Sequence, residues 1–228
     1  MIRRKHSSTV EDENVFWVTM TDLLLGLAII FMTLFILAMT GFTQTKIQQQ
    51  SAQSEVAKQL IENMKKQNVE TSINELTGQV KISDLELFEL NSYKLSDKGK
   101  KYLDKFIPVY VNTIYSNPKL YKNISNIVIE GHTDSQMFKS VSSKEEQFVK
   151  NMDLSLKRAN AVAEYVFKTN YNKKFTESLT KNLVVEGKSY TEPILVSGKE
   201  DYNKSRRVEL KLVVKDSNVQ DYLLKGKN

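Results

Sequence analysis

Apolar residues crowd into one block near the N-terminus and then return in short, spaced runs. From Val15 to Phe42 the only charged residue is Asp22, and Leu23 to Met39 is continuously apolar except for Gly26 and Thr33. A bilayer core needs about 20 such residues in a helix, because lipid offers the backbone no hydrogen-bond partners. The block therefore predicts a transmembrane helix over 15–42, behind a short arm of residues 1–14. Residues 43–79 change character, with Gln48, Gln49, Gln50, Gln53, Gln59 and Gln67 among serine, lysine and glutamate. Val56, Leu60, Met64 and Ile73 form a broken helical stripe there, predicting an amphipathic helical linker or stalk that ends near Gly78. A partly solvated linker is the competing reading.

Beyond residue 80 the periods alternate. Gln79–Ser83 reads as a strand, and Ser96–Tyr115 as a helix with Ser96 as N-cap and Pro118 past its end. Asn126–Glu130 is a β-branched run suited to a covered sheet. Leu154–Phe167 has helical spacing, while Leu183–Glu186 and the alternating Val208–Val214 read as strands. The order β-α-β-α-β-β predicts an α/β domain over 80–215, its mixed sheet covered by helices on one side, followed by a C-terminal tail 216–228.

Composition narrows the function. The 228 residues carry a net charge of +6 spread along the chain, without a basic stripe interleaved with aromatics, so nucleic acid is not an expected partner. There is no cysteine and there are only two histidines, His6 and His132, far apart in sequence. Thiolate metal sites are excluded, and neither a histidine triad nor a metal cage is expected. No nucleophile and base come together, so the chain is not expected to be an enzyme.

Flanking charge orients the span. Arg3, Arg4 and Lys5 precede it and only Lys46 follows closely, which keeps the N-terminus cytoplasmic and places residues after about 43 outside. A cleaved signal peptide, with Ala38 near a cut site, fits less well given the long apolar run and the acid inside it.

Asp22 is the most informative residue. It lies about 7 Å of helix rise past Trp17, a natural interfacial anchor. A carboxyl group in the apolar zone costs on the order of 3 kcal/mol, so it should face protein or water. Thr19, Gly26, Thr33 and Thr40 recur every seven residues, and Asp22 falls on their face. Small and hydroxyl residues on one stripe let helices approach closely, making this an ion-path or helix-packing seam. The plainer alternative puts Asp22 at the headgroup boundary or at a helix cap.

The run Phe16-Trp17-Val18-Thr19-Met20-Thr21-Asp22-Leu23-Leu24 resembles the single span of MotB-type stator subunits. That resemblance implies that Asp22 binds the translocated ion, proton or sodium, with no other cofactor. Met20-Thr21 replaces the family's frequent Tyr-Ala, and Gly26 interrupts its leucine run. Further on, Gly131-His132-Thr133-Asp134, Asn151-Met152-Asp153-Leu154-Ser155-Leu156-Lys157-Arg158-Ala159 and Asn203-Lys204-Ser205-Arg206-Arg207-Val208-Glu209 resemble the three signatures of OmpA-like peptidoglycan-binding domains. By that resemblance Asp134 and Arg158 grip the free ends of diaminopimelate in the wall peptide, and Asn151 and Leu154 line the groove. The chemistry fits a zwitterion, which needs an anion for its ammonium and a planar fork for its carboxylate. A helix start at Asn151 would add amides that favour the carboxylate. His132 reads as structural, with no second metal ligand near it in sequence, and Arg206 and Arg207 as braces of the groove or sheet edge. Ser135–Lys150 is longer than the family's usual turn, which makes it a lid, a contact to a second copy or a wall-type adaptation.

Together these resemblances imply the B subunit of an ion-driven rotary motor in the bacterial inner membrane. Two copies would sit inside a ring of polytopic A-type subunits, anchored to peptidoglycan by an extracytoplasmic domain. The short arm and the Phe-Trp lead-in are more similar to Zorya-type antiphage motors than to flagellar stators. A passive wall tether is the remaining alternative, and it leaves Asp22 without a role.

Overall fold

The computed structural model describes residues 8–89, 92–121, 124–138 and 140–214. The basic arm Arg3, Arg4 and Lys5 and the tail 216–228 lie outside the described residues. The chain forms two compact units, Met1–Gln48 and Gln49–Asn228.

In the first unit runs the N-terminal part of helix α1 (Ser8–Lys66). Within it Val15–Gly41 is long and apolar enough to cross a membrane, close to the predicted limits. Its large apolar side chains, from Val15 to Met39, are exposed. The threonines spend their hydroxyls on the helix itself. Thr19 donates to the Val15 and Phe16 carbonyls, Thr33 to Ile30 and Thr40 to Ile36. Such back-bonding satisfies a hydroxyl where lipid cannot.

In the second unit the end of α1 is core, not stalk. Val56, Ala57, Leu60 and Met64 are fully buried, Asn63 Nδ2 donates to Thr113 Oγ1 at 2.9 Å and Gln53 Nε2 to the Leu212 carbonyl at 3.5 Å. The helix also stops at Lys66, twelve residues before Gly78. The reason is a Schellman cap. Asn68 takes φ 52°, its N–H donates to the Lys65 carbonyl, and Val69 N–H reaches back to Met64. Gly78, at φ 68°, serves a different turn. There Asn74 Oδ1 accepts from the amides of Leu76 and Thr77, and the turn joins β1 (Ser72–Ile73), a strand where the sequence pattern places Ile73 on the helical stripe, to β2 (Val80–Ser83).

The remaining elements follow as α2 (Asp84–Leu87), α3 (Asp97–Ser116), α4 (Pro118–Tyr121), β3 (Ile124–His132), α5 (Lys144–Val166), α6 (Thr176–Asn182), β4 (Leu183–Gly187), β5 (Leu195–Val196), β6 (Lys199–Glu200), α7 (Tyr202–Ser205) and β7 (Arg207–Val214). Ser96 caps α3 as its sequence predicts, accepting from Gly99 N–H. The strands order β1-β2-β7-β3-β4, antiparallel except for the parallel pair β3–β4, so the sheet is mixed. β5 and β6 form a separate hairpin whose two-residue loop, Ser197 at φ 52° and Gly198 at φ 79°, has the left-handed pair that a tight hairpin turn requires.

Alternation divides the sheet's faces. Val80, Ile82, Ile127, Ile129, Val208, Leu210 and Leu212 point into the core with residues of α1, α3 and α5. Lys81, Glu130, His132, Arg207, Glu209 and Lys211 lie on the other face, by the register Glu130↔Glu209 and His132↔Arg207.

Burial of the α1 end carries a direct consequence. Leu60→Ala should lower the stability of the second unit by about 2–5 kcal/mol, the range for emptying a fully packed leucine site. Chemical unfolding of the detergent-solubilised chain, followed by near-ultraviolet dichroism of the core tyrosines, measures it. A solvated stalk would give almost no change.

Candidate functional site

The strand β3 ends at His132, and the next two residues turn off the sheet. Thr133 N–H donates to the Ser189 carbonyl at 2.8 Å, which fixes the peptide that carries Asp134. Asp134 Oδ1 accepts from Gln136 N–H at 3.0 Å. From the facing side comes α5, which starts at Lys144 and not at Asn151. Ser143 Oγ accepts from Glu146 N–H and the Glu146 carboxylate accepts from Ser142 N–H, a capping pair readable in Ser143-Lys144-Glu145-Glu146. Asn151 is thus two turns inside the helix, where no amides are free for a carboxylate. Its Nδ2 donates to the Gln147 carbonyl at 3.1 Å.

This early start also explains the long 135–150 segment. Residues 144–150 are helix, and 135–138 fold back over it. Gln147 Nε2 donates to the carbonyls of Ser135 and Gln136 at 2.8 and 3.0 Å. Ser135 also bonds to Glu200 of the β5–β6 hairpin.

Between these elements lies a groove of about 890 Å³, lined by all four residues expected to hold a wall peptide, Asp134, Asn151, Leu154 and Arg158. Leu85, Phe88, Met137 and Phe138 supply apolar wall, the last two from the long segment. Arg158, only 3% exposed, is heavily braced. Its Nε donates to the Ser92 carbonyl at 3.1 Å, its Nη2 lies 3.1 Å from Asp84 Oδ2, and its guanidinium lies over the Phe88 ring at 5.3 Å.

Three further charged residues line the groove, Arg206, Asp84 and the solvent-exposed Glu89. Arg206 pairs with Asp134 through Nη1 and bonds Asn203 through Nη2, so it belongs to the site and not to a sheet edge. Asp84, at the start of α2, went unnoticed in the sequence. Its position becomes readable only through strand pairing, since Ser83↔Arg207 in register sets Asp84 beside Arg206. Arg207 points to the opposite face, where it bonds Glu209 at 2.5 Å and the carbonyls of Ser205 and Glu192.

With this geometry the comparisons become informative. Residues 87–210 match the model of the OmpA family. Zorya protein ZorB of Escherichia coli is 31% identical over 214 residues, 89% of each chain. The chain belongs to the ZorB family. Among solved structures, a MotB-like protein of Desulfovibrio vulgaris superposes with a TM-score of 0.51 at 18% identity, covering 75% of this chain and 96% of that one, which establishes the shared fold. The periplasmic domain of Helicobacter pylori MotB gives a TM-score of 0.47 at 18% identity, over 70% of this chain and 99% of that one.

His132, the other motif residue, is 1% exposed on the far face of the sheet. Contrary to the sequence reading it has possible co-ligands, since Glu130, His132 and Glu192 present ligand atoms within 4.8 Å of one another. Lysines already supply the positive charge there. Lys211 Nζ lies 2.5 Å from Glu130 and 3.9 Å from Glu192, and Lys188 Nζ lies 3.5 Å from Glu130. His132 Nε2 is 3.3 Å from Glu130 Oε2. The cluster joins the buried Glu130 and His132 to partly exposed lysines in ion pairs that favour one strand register.

Burial alone would raise the Glu130 pKa, but hydrogen bonds from His132 and Lys211 and the charges of Lys211 and Lys188 outweigh it and hold it at about 2, against an ordinary 4.5. A depressed carboxylate contributes stability above its unfolded pKa and loses it as acid titrates the folded group. Stability should therefore fall as pH drops from about 4.5 towards about 2. Glu130→Gln should lower stability at neutral pH and flatten this acid slope, as measured by denaturant unfolding across the range. An unaltered slope in the variant would remove the assignment.

Proposed function

We propose that this chain is the wall-anchored B subunit of an ion-driven rotary membrane motor of the Zorya antiphage type. One observation carries the reading. A single chain of the ZorB family joins an apolar span containing one acid to an OmpA-type domain whose groove gathers Asp134, Asn151, Leu154 and Arg158. The chain is read as single-pass in the bacterial inner membrane, N-terminus cytoplasmic and OmpA-like domain outside.

In this reading two copies sit within a ring of polytopic subunits, similar to the A subunits of such motors. Asp22 is exposed on the isolated helix, and an ionised carboxylate cannot stay so in lipid, which supports a partner around it. Binding a proton or sodium ion removes the cost of the charge and changes how Asp22 packs against that ring. The membrane potential supplies about 2.3 kcal/mol per charge per 100 mV for the movement. Peptidoglycan held in the groove keeps the B subunits from turning, so the ring rotates instead. Identity to ZorB favours the antiphage motor over a flagellar stator, and a passive tether gives Asp22 nothing to do.

Two experiments test the halves separately. Asp22→Asn should abolish phage protection in cells while leaving protein level and copurification of the polytopic partner unchanged. Protection retained by that variant would reduce the protein to a tether. Arg158→Ala should weaken binding of a diaminopimelate muropeptide by about 30-fold or more, in line with removing one partner of a buried charge contact. Calorimetry giving equal affinities would reject the groove as the wall site.

A further inference from the structure

The groove is already paired within itself. Asp84 holds Arg158, Asp134 holds Arg206, and the two pairs are joined because Asp84 Oδ2 lies 4.0 Å from Arg206 Nε. Asp84 and Asp134 are each 7% exposed and Arg158 3%, so little solvent screens these three, while the Arg206 side chain is a quarter exposed. The ladder is also unevenly satisfied. Asp84 Oδ1 is buried and has no hydrogen-bond partner among the described residues.

Two acids and two guanidiniums make these four neutral in sum, with the exposed Glu89 at the groove's lining left to solvent, and this balance restricts what can enter. A terminus with only a carboxylate brings an unbalanced negative charge to Arg158, beside Asp84. A terminus with only an ammonium must displace Arg206 from Asp134 and leave that arginine beside a new cation. A terminus with both charges adds none. Its ammonium takes Asp134, its carboxylate takes Arg158, and the displaced Arg206 has a carboxylate waiting 4.0 Å away. Every charge is then paired again.

We propose that Asp84 is a specificity-determining residue of the groove, exchanging Arg158 for Arg206 when a zwitterionic end binds, so that ligands bearing one charge alone are rejected. The assignment rests on the wall-binding reading above and adds a residue that none of the three sequence motifs contains. Burial pushes the Asp84 carboxyl up, with Asp134 acting in the same direction, and together they outweigh Arg158 and Arg206, which pull it down. Its charge is therefore under-compensated in the free groove, where Arg158 is its close partner and Arg206 stands 4.0 Å away. Specificity of this kind works by penalising the wrong ligand, through unpaired charge, as much as by attracting the right one.

The test uses the detergent-solubilised full chain, calorimetry and three peptides. One is a muropeptide tetrapeptide whose diaminopimelate keeps its free side-chain amine and side-chain carboxylate. The second has that side-chain amine acetylated, and the third has that side-chain carboxylate amidated. The native protein should prefer the first over either modified peptide by about 100-fold, the scale set by one unpaired buried charge. Asp84→Asn leaves the groove with an excess positive charge, so its preference over the acetylated peptide should fall at least about tenfold. Arg206→Gln leaves excess negative charge and should instead recover binding of the amidated peptide. Unfolding midpoints verify that each variant is folded. A folded Asp84→Asn with selectivity unchanged within about twofold would overturn the exchange and leave Asp84 as a brace for Arg158. If Asp84→Asn does not fold, Arg206→Gln decides alone, and its failure to gain the amidated peptide overturns the proposal. Native protein that binds none of the peptides would instead sink the wall-binding reading itself.

Discussion

The groove exists because α5 can lie almost directly on the backbone of two strands. Gly131 of β3 and Gly187 of β4 are register partners, and the turn of α5 at Ser155 rests on both. A Cβ on Gly131 would stand 2.0 Å from the Ser155 carbonyl oxygen, and one on Gly187 would stand 2.9 Å from Ser155 Oγ. The first clash is with backbone, so no side-chain adjustment relieves it. Ser155 Oγ also accepts from Ser189 N–H at 3.1 Å, which ties the helix to the loop after β4. With the helix pinned at this residue, Arg158 comes one turn later and Asn151 one turn earlier, both facing the end of β3 where Asp134 departs. Binding geometry of this kind tolerates errors of about half an ångström, so two glycines far from any ligand contact govern where the guanidinium stands.

Much of this was legible in the chain because the relevant signals are local. The apolar span, the Ser96 cap and the alternation of the last strand each follow from a few neighbouring residues, and the structure reproduces them. The three motifs also named four residues that do line one groove. The misses share a different cause. The α1 terminus was assigned to Gly78 because glycine is the commonest C-cap, yet Asn68 performs that role and the glycine turns a hairpin. Val56, Leu60 and Met64 read as the stripe of a linker or stalk and prove to be core, since periodicity states that a face is buried but not against what. The start of α5 was within reach, as Ser143 and Glu146 have the spacing of a capping box. Asp84 was not, because its importance depends on β2 pairing with β7, a contact between residues more than a hundred positions apart.

The two faces of the sheet show how similar charges can serve different ends. On the far face each carboxylate meets several donors. Glu209 lies near Arg207, Lys81, Lys211 and His132, and Glu130 near Lys211, Lys188 and His132. Those ion pairs favour one pairing of strands, since a register slip would bury charges without partners, even though Glu130 Oε2 and both His132 ring nitrogens make no well-aligned hydrogen bond among the described residues. In the groove the pairs are fewer, and Asp84 Oδ1 has no hydrogen-bond partner among the described residues. They also border about 890 Å³ of open space, in place of more protein. Partner exchange is costly in the first network, where several ion pairs would break together, and cheaper in the second, where Asp84 already stands between Arg158 and Arg206. The number of ion pairs on each carboxylate and the open space beside it, more than charge itself, separate the face that holds the sheet together from the one proposed to take hold of the wall.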